Sequence, residues 1–260
     1  MRSRLANQWV LITGASSGFG AAAARAFAAE GAHLLLGARR GDRLEAVAAE
    51  ARTAGAPEAL AHPLDVAQTA SVEAFADWVR KHTGRVDVLV NNAGGAHGME
   101  TVAEGQDADW EAMMQANVLG VLRMTRAILP LMRTHPGGAI LNIGSIAGRV
   151  AYEGGAAYCG SKAAELQITR ALRLELCGTG LRVGSLDPGM AETEFSMVRF
   201  KGDGVRAKKV YEGVIPLTAE DVAEALVWMA SRPAHVCIDE MIIKCTDQAA
   251  IHKVHRRTQA

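Results

Sequence analysis

Aromatic residues make up only 5% of the 260-residue chain, and no apolar run reaches the roughly twenty residues that a bilayer-crossing helix needs. A membrane protein is therefore not expected. Four cysteines, Cys159, Cys177, Cys237 and Cys245, share no CxxC spacing and stand in apolar or helical surroundings. That argues against a disulfide framework or a zinc site, and reduced thiols fit a cytoplasmic protein. His33, His62, His82 and His97 are scattered, so no metal site is expected. Charge of one sign does not prevail either: 28 basic side chains balance 28 acidic ones, and the one basic run is the end "HKVHRRTQA". Neither nucleic acid nor an anionic membrane surface suits such a balance. The start, "MRSRLANQWVLITG", lacks the h-region and cleavage site of a signal peptide.

Apolar residues, at 49%, are plentiful enough for a large core, and they are ordered in a pattern. "WVLITG", "AHLLLGAR", "EALAHPLDV", "VDVLVNNAG", "GAILNIGS" and "LRVGSLDPG" read as buried strands, with "CIDEMIIKCT" as a seventh. Helical periods fill residues 18–30, 42–54, 69–83, 107–134, 156–177 and 219–231. Apolar strands alternating with helices predict an α/β fold: a single Rossmann-type, doubly wound parallel sheet of about seven strands with helices on both faces. No linker or repeat interrupts it, so one domain spans residues 1–260. The irregular stretch 190–218 follows the sixth strand, beyond the carboxyl edge where such sheets bind ligands, and reads as a substrate loop or lid.

"TGASSGFG" places Gly14, Gly18 and Gly20 between a strand and an alanine-rich helix, with Ser16, Ser17 and Phe19 between them. A turn of this kind lets backbone N–H groups meet a pyrophosphate at a helix N-terminus. The second strand ends in Ala38, Arg39 and Arg40, where an NAD enzyme would carry a carboxylate for the ribose 2′-hydroxyl. Guanidinium groups suit a 2′-phosphate, so NADP(H) is the expected cofactor, and Asp42 reads as the cap of the next helix.

In "AAYCGSKAAEL" Tyr158 and Lys162 stand four apart, on one helix face. A free phenol, with a pKa near 10, is a poor base at neutral pH. A positive charge at about 4 Å, at an effective dielectric near 20, contributes roughly 4 kcal/mol, enough to bring a phenol into acid–base work. Gly160 and its small neighbours would let substrate and cofactor approach.

TGASSGFG, "NNAG", Asn117, Ser145, Tyr158 with Lys162, and "PG" fall in the order and spacing of the short-chain dehydrogenase/reductase family, and the resemblance covers nearly the whole chain. It implies that Tyr158 is the acid/base and Lys162 its activator and a ribose ligand. By the same resemblance Ser145 positions the substrate carbonyl, and Asn117 holds a water linking Lys162 to solvent. Asp65 and Val66 fall at the adenine side, Asn91, Ala93 and Gly94 flank the cofactor, and Pro188, Gly189 and Thr193 lie near the nicotinamide. "TEFSMVRFKGD", "LTAEDVAEAL" and "RPAHVCIDEM" further resemble the bacterial, NADP-using branch that acts on 3-hydroxy acids, including serine and L-allo-threonine. Similar segments occur in enzymes reducing sulfoacetaldehyde or malonic semialdehyde. A bulkier ketone and a catalytically silent nucleotide-binding protein are the other readings. Arg199 is the candidate partner for a substrate carboxylate, with Lys201 as the alternative. Arg149 and Glu153 depart from the family pattern and add charge near the expected pocket mouth. The resemblance also implies a homotetramer formed through the helices after the fourth and fifth strands, with the tail 248–260 reaching a neighbour.

Overall fold

The computed structural model describes residues 3–132 and 137–257. All seven apolar runs are strands: β1 (Trp9–Thr13), β2 (His33–Ala38), β3 (Ala59–Pro63), β4 (Val88–Asn91), β5 (Ala139–Ile143), β6 (Arg182–Pro188) and β7 (Glu240–Ile243). They pair in parallel in the order β3-β2-β1-β4-β5-β6-β7. Successive side chains of a strand point to opposite faces, and the sheet uses this to build two cores. Val10, Ile12, Leu34, Leu36, Val88 and Val90 pack against α1 (Gly18–Ala29), α2 (Gly41–Ala54) and α9 (Ala219–Ala230). Leu11, Leu35, Leu89, Ile140 and Val183 pack on the other face against α3 (Thr69–His82), α5 (Gly120–Met132) and α6 (Ala156–Glu175). Because β1 lies between β2 and β4, the chain changes sides there and leaves a crevice at the carboxyl ends of both.

The helix expected over 107–134 is divided. α4 (Asp107–Met113) runs into a π-helical turn (Met114–Leu119) and then into α5; residues 133 and 134 lie outside the described residues. The wider turn carries Asn117, whose side chain pairs with both backbone groups of Gly95. Segment 190–218 contains α7 (Phe195–Arg199) and α8 (Gly204–Lys209), and its base is tied by a bridge between Ala191 and Leu217. Asp42 does not cap α2: it lies in the first turn, and Arg40 holds the cap position.

After β7 a small hairpin, β8 (Gln248–Ala250) and β9 (Lys253–Val254), folds back on its own chain. Gln248 Oε1 accepts from Met190 N at 2.7 Å, and Arg257 N donates to Gly213 O at 2.7 Å. Up to residue 257 the tail therefore lies against the base of the 190–218 segment; residues 258–260 lie outside the described ones.

Candidate active site

The glycine turn closes β1 onto the N-terminus of α1. Gly14 has φ +65°, and a Cβ there would meet the backbone of Ala93 at 2.9 Å, so the turn needs glycine both for its conformation and for the close approach of the two loops. Arg40 reaches back across this turn, donating to Ser16 Oγ at 3.3 Å and to Ser17 Oγ. Its Nη1 donates to Glu194 Oε2 at 2.9 Å, and Arg43, which sequence reading missed, donates to Glu194 Oε1 at 2.7 Å. The Arg40 and Arg43 hydrogen bonds and charges hold the Glu194 carboxyl below its ordinary range, against some burial. Two arginines thus already hold an anion where a 2′-phosphate is expected.

The cleft that begins here has a volume of about 420 Å³. Gly14, Ser16, Ser17, Gly18 and Phe19 line it, and Arg39, Arg40, Asp65, Val66, Ala93, Gly94 and Thr193 continue around its wall. Asp65 Oδ1 is folded back onto Ala67 N at 3.0 Å. Not every expected residue faces this space. Asn91 is buried between β4 and β5, donating to Thr125 Oγ1 and Asn142 Oδ1; Asn92 lines the cleft instead and donates to Thr13 O at 2.8 Å. Pro188 closes β6, and Gly189 N continues that strand's pairing by donating to Ile243 O. Gly20 fits under the turn, where a Cβ would collide with the Gly14 carbonyl.

At the far end of the cleft stand Tyr158 and Lys162, both buried on α6. Lys162 Nζ donates to Ile143 O and to Glu165 Oε2, each at 2.7 Å. Burial opposes its ammonium, but Glu165 and Tyr158 outweigh that and raise the Lys162 pKa. Ser145 follows β5 and caps the short turn Ile146–Gly148, its Oγ accepting from Ala147 N at 3.1 Å. Asn117, 1% exposed, donates to Ser161 Oγ at 2.9 Å and to Gly95 O, so its side chain braces the loop after β4 against the turn between Tyr158 and Lys162. Gly160 does not face the site. It lies two residues from Tyr158, on the exposed side of the helix, with nothing within 4 Å of a Cβ.

A second, narrow pocket joins the cleft at His97, Met113 and Tyr158. Arg199 of α7 is its cation. Only 8% exposed, it donates from Nε to Gly98 O at 3.0 Å, and its guanidinium carbon lies 5.3 Å from the Tyr152 ring centroid and 5.6 Å from that of Tyr158. Nη2 of Arg199 is buried without a hydrogen-bond partner. Lys201 instead turns outward, exposed and paired with Asp109 at 2.8 Å. Arg149, expected near the pocket mouth, points the other way, pairing with Asp187 of β6 and Glu240 of β7. Glu153 is exposed. Sequence reading also missed Tyr152, pushed up to about 12 chiefly by burial, and Glu165. For Glu165 a signal existed: an acidic residue three places after Lys162 falls on the same buried face.

The described residues contain no helix long and apolar enough to cross a membrane and no cluster of metal-binding side chains. The short chain dehydrogenase family model matches residues 8–204. The chain is 41% identical to an NADP-dependent 3-hydroxy acid dehydrogenase of Schizosaccharomyces pombe, over 98% of this chain and 99% of the relative. It is 43% identical to sulfoacetaldehyde reductase 2 of Chromohalobacter salexigens, over 92% of this chain and 95% of the relative. Among solved structures it resembles the closed form of a serine dehydrogenase complexed with NADP+, at 40% identity and TM-score 0.88, over 96% of this chain and all of the other.

Proposed function

The chain belongs to the short-chain dehydrogenase family and is an NADP-dependent oxidoreductase acting on hydroxyl groups; on that premise we propose that its substrate is a small 3-hydroxy acid, or the matching semialdehyde or keto acid, with Tyr158 as acid/base. One observation supports the acid substrate above the others. Arg199 lines the pocket that Tyr158 borders, and its Nη2 is buried without a hydrogen-bond partner. A buried guanidinium nitrogen left without a partner is costly, and a substrate carboxylate or sulfonate would satisfy it with a charge-assisted hydrogen bond.

The residues present fit the cofactor: a glycine turn feeding a helix N-terminus, two serine hydroxyls, and Arg40 and Arg43 holding a carboxylate. Bound there, NADP(H) would supply the hydride acceptor for oxidation of the alcohol and the hydride donor for reduction of the carbonyl. The chain's own groups handle the rest. Arg40, with Arg43 beside it, takes the 2′-phosphate in place of Glu194. Tyr158 removes the hydroxyl proton in oxidation and returns it in reduction. Lys162, fixed by Ile143 O and Glu165, supplies the positive charge that stabilises the anion left when that proton leaves. Ser145 orients the substrate oxygen toward Tyr158. Segment 190–218 brings Arg199 over the pocket and excludes water when substrate is bound, as a lid.

Sulfoacetaldehyde is the second reading, because a sulfonate presents the same charge to Arg199, and a relative of that name is similar over nearly the whole chain. Arg199→Ala separates acid from neutral substrates. KM for a hydroxy acid is expected to rise at least about tenfold, with little change for a neutral short-chain alcohol. Equal losses on both would remove Arg199 as the acid-binding residue.

A further inference from the structure

Behind the Tyr158–Lys162 couple lies a buried carboxylate with no part in proton transfer as described so far. Glu165 is 1% exposed; Oε2 accepts from Lys162 Nζ at 2.7 Å, while Oε1 is buried with no hydrogen-bond partner. The next element over, β6, adds Asp187, also 1% exposed, which accepts from Ser185 Oγ and from Arg149 Nε at 2.6 Å. Gly144 at the end of β5 makes room for it, since a Cβ there would fall on Asp187 Oδ1. Arg149, which also reaches Glu240 of β7, balances Asp187. Lys162 is then the one cation shared between Tyr158, which needs its charge, and Glu165, which offsets it.

We propose that Glu165 is a positioning residue whose negative charge, held against Lys162, sets the pH at which the Tyr158–Lys162 couple gives up its first proton. This role rests on Tyr158 and Lys162 acting as acid/base and activator. Its sign is independent of which partner releases the proton. Losing one proton takes the couple from one positive charge to none, and a neighbouring negative charge opposes that loss whether phenol or ammonium gives it up. Asp187 and Arg149 behind the couple, and Arg199 over the Tyr158 ring, stay in place when Glu165 is changed. Burial, against the pull of Lys162 and helped by Asp187, pushes the Glu165 carboxyl up to about 7. Its charge is therefore full above neutrality and fades below it.

Wild-type and Glu165→Gln protein, each saturated with NADP+, are titrated upward while tyrosinate absorbance is followed. The chain has three tyrosines, so subtraction of a Tyr158→Phe titration isolates the Tyr158 signal. In Glu165→Gln its midpoint is expected about one pH unit lower. The rising limb of kcat against pH for NADP+-dependent oxidation should move by the same amount. Coincident midpoints, or a lower rate with an unmoved limb, overturn the assignment. A shifted midpoint in a protein that turns over no hydroxy acid keeps Glu165 and removes the proposed substrate class. Should Glu165→Gln not fold, Glu165→Asp, which draws the carboxylate back from Lys162 Nζ, carries the test: its midpoint is expected below that of wild type, and a coincident midpoint overturns the assignment.

Discussion

The roles proposed for Tyr158 and Arg40 belong to different stages, and removing each should leave a different trace. Tyr158→Phe keeps the ring that packs 5.6 Å from Phe195 and deletes only the hydroxyl. Turnover is expected to fall by roughly 10³-fold or more, within the range for loss of a positioned acid/base, while NADPH fluorescence still reports tight binding. Arg40→Ala should weaken NADP+ about tenfold or more and leave NAD+ nearly unaffected, because only the 2′-phosphate needs the guanidinium; a titration with both cofactors checks this. Residues of this kind were legible because their chemistry is local: a glycine turn after a strand, or an i, i+4 pair on one face. Tyr152 and Arg43 were not, since their surroundings come from what other elements bring against them, whereas Glu165 could have been found three places after Lys162 on the same face. Arg43 acts through Glu194, 151 positions away.

The elements came through the sequence with their order intact, and what was lost was where long-range partners decide the shape. β1, β2, β4 and β5 were plain because each is largely apolar on both faces. The π-helical turn at Met114–Leu119 was not, because its cause is the pairing of Asn117 with Gly95 across 22 positions. Arg149 was likewise misplaced: an arginine after a strand points to a pocket as easily as to a neighbouring strand, and only β7 decides. β7 lies at the sheet edge, where Glu240 is held by Arg170 at 2.7 Å and Arg149 at 2.6 Å. The hydrogen bond from Arg170, then that from Arg149, brings the Glu240 carboxyl down to about 2 from an ordinary value near 4.5. A depressed carboxyl stabilises the fold above its unfolded pKa, and that stability is lost as pH falls through the folded one. Glu240→Gln should therefore melt below wild type at pH 7, and the gap should close between about pH 4.5 and 2. A gap that persists unchanged at low pH would show that the edge is held otherwise.

At the scale of the whole molecule, the helices after β4 and β5 leave apolar side chains exposed, with Met114, Leu119 and Leu122 on one and Leu174 on the other. We propose that these faces meet in the homotetramer that the family resemblance implies. Light scattering is expected to give four times the 27.5 kDa chain mass, and Leu122→Glu is expected to give a smaller species; a wild-type monomer would contradict that assembly. The whole molecule also joins its two ends of chemistry. The same segment that carries Glu194 to Arg40 carries Phe195 to the Tyr158 ring and Arg199 to the pocket, so the proposed cofactor and substrate contacts share one stretch of chain.

The most direct measurement is the initial rate of the purified protein with NADP+ or NAD+ on L-serine, L-allo-threonine, 3-hydroxypropionate and isethionate. Turnover on at least one of these acids, with NADP+ preferred over NAD+, is the predicted result. No turnover on any of them, in protein that still binds NADPH tightly, would contradict the acid substrate that Arg199 is held to bind.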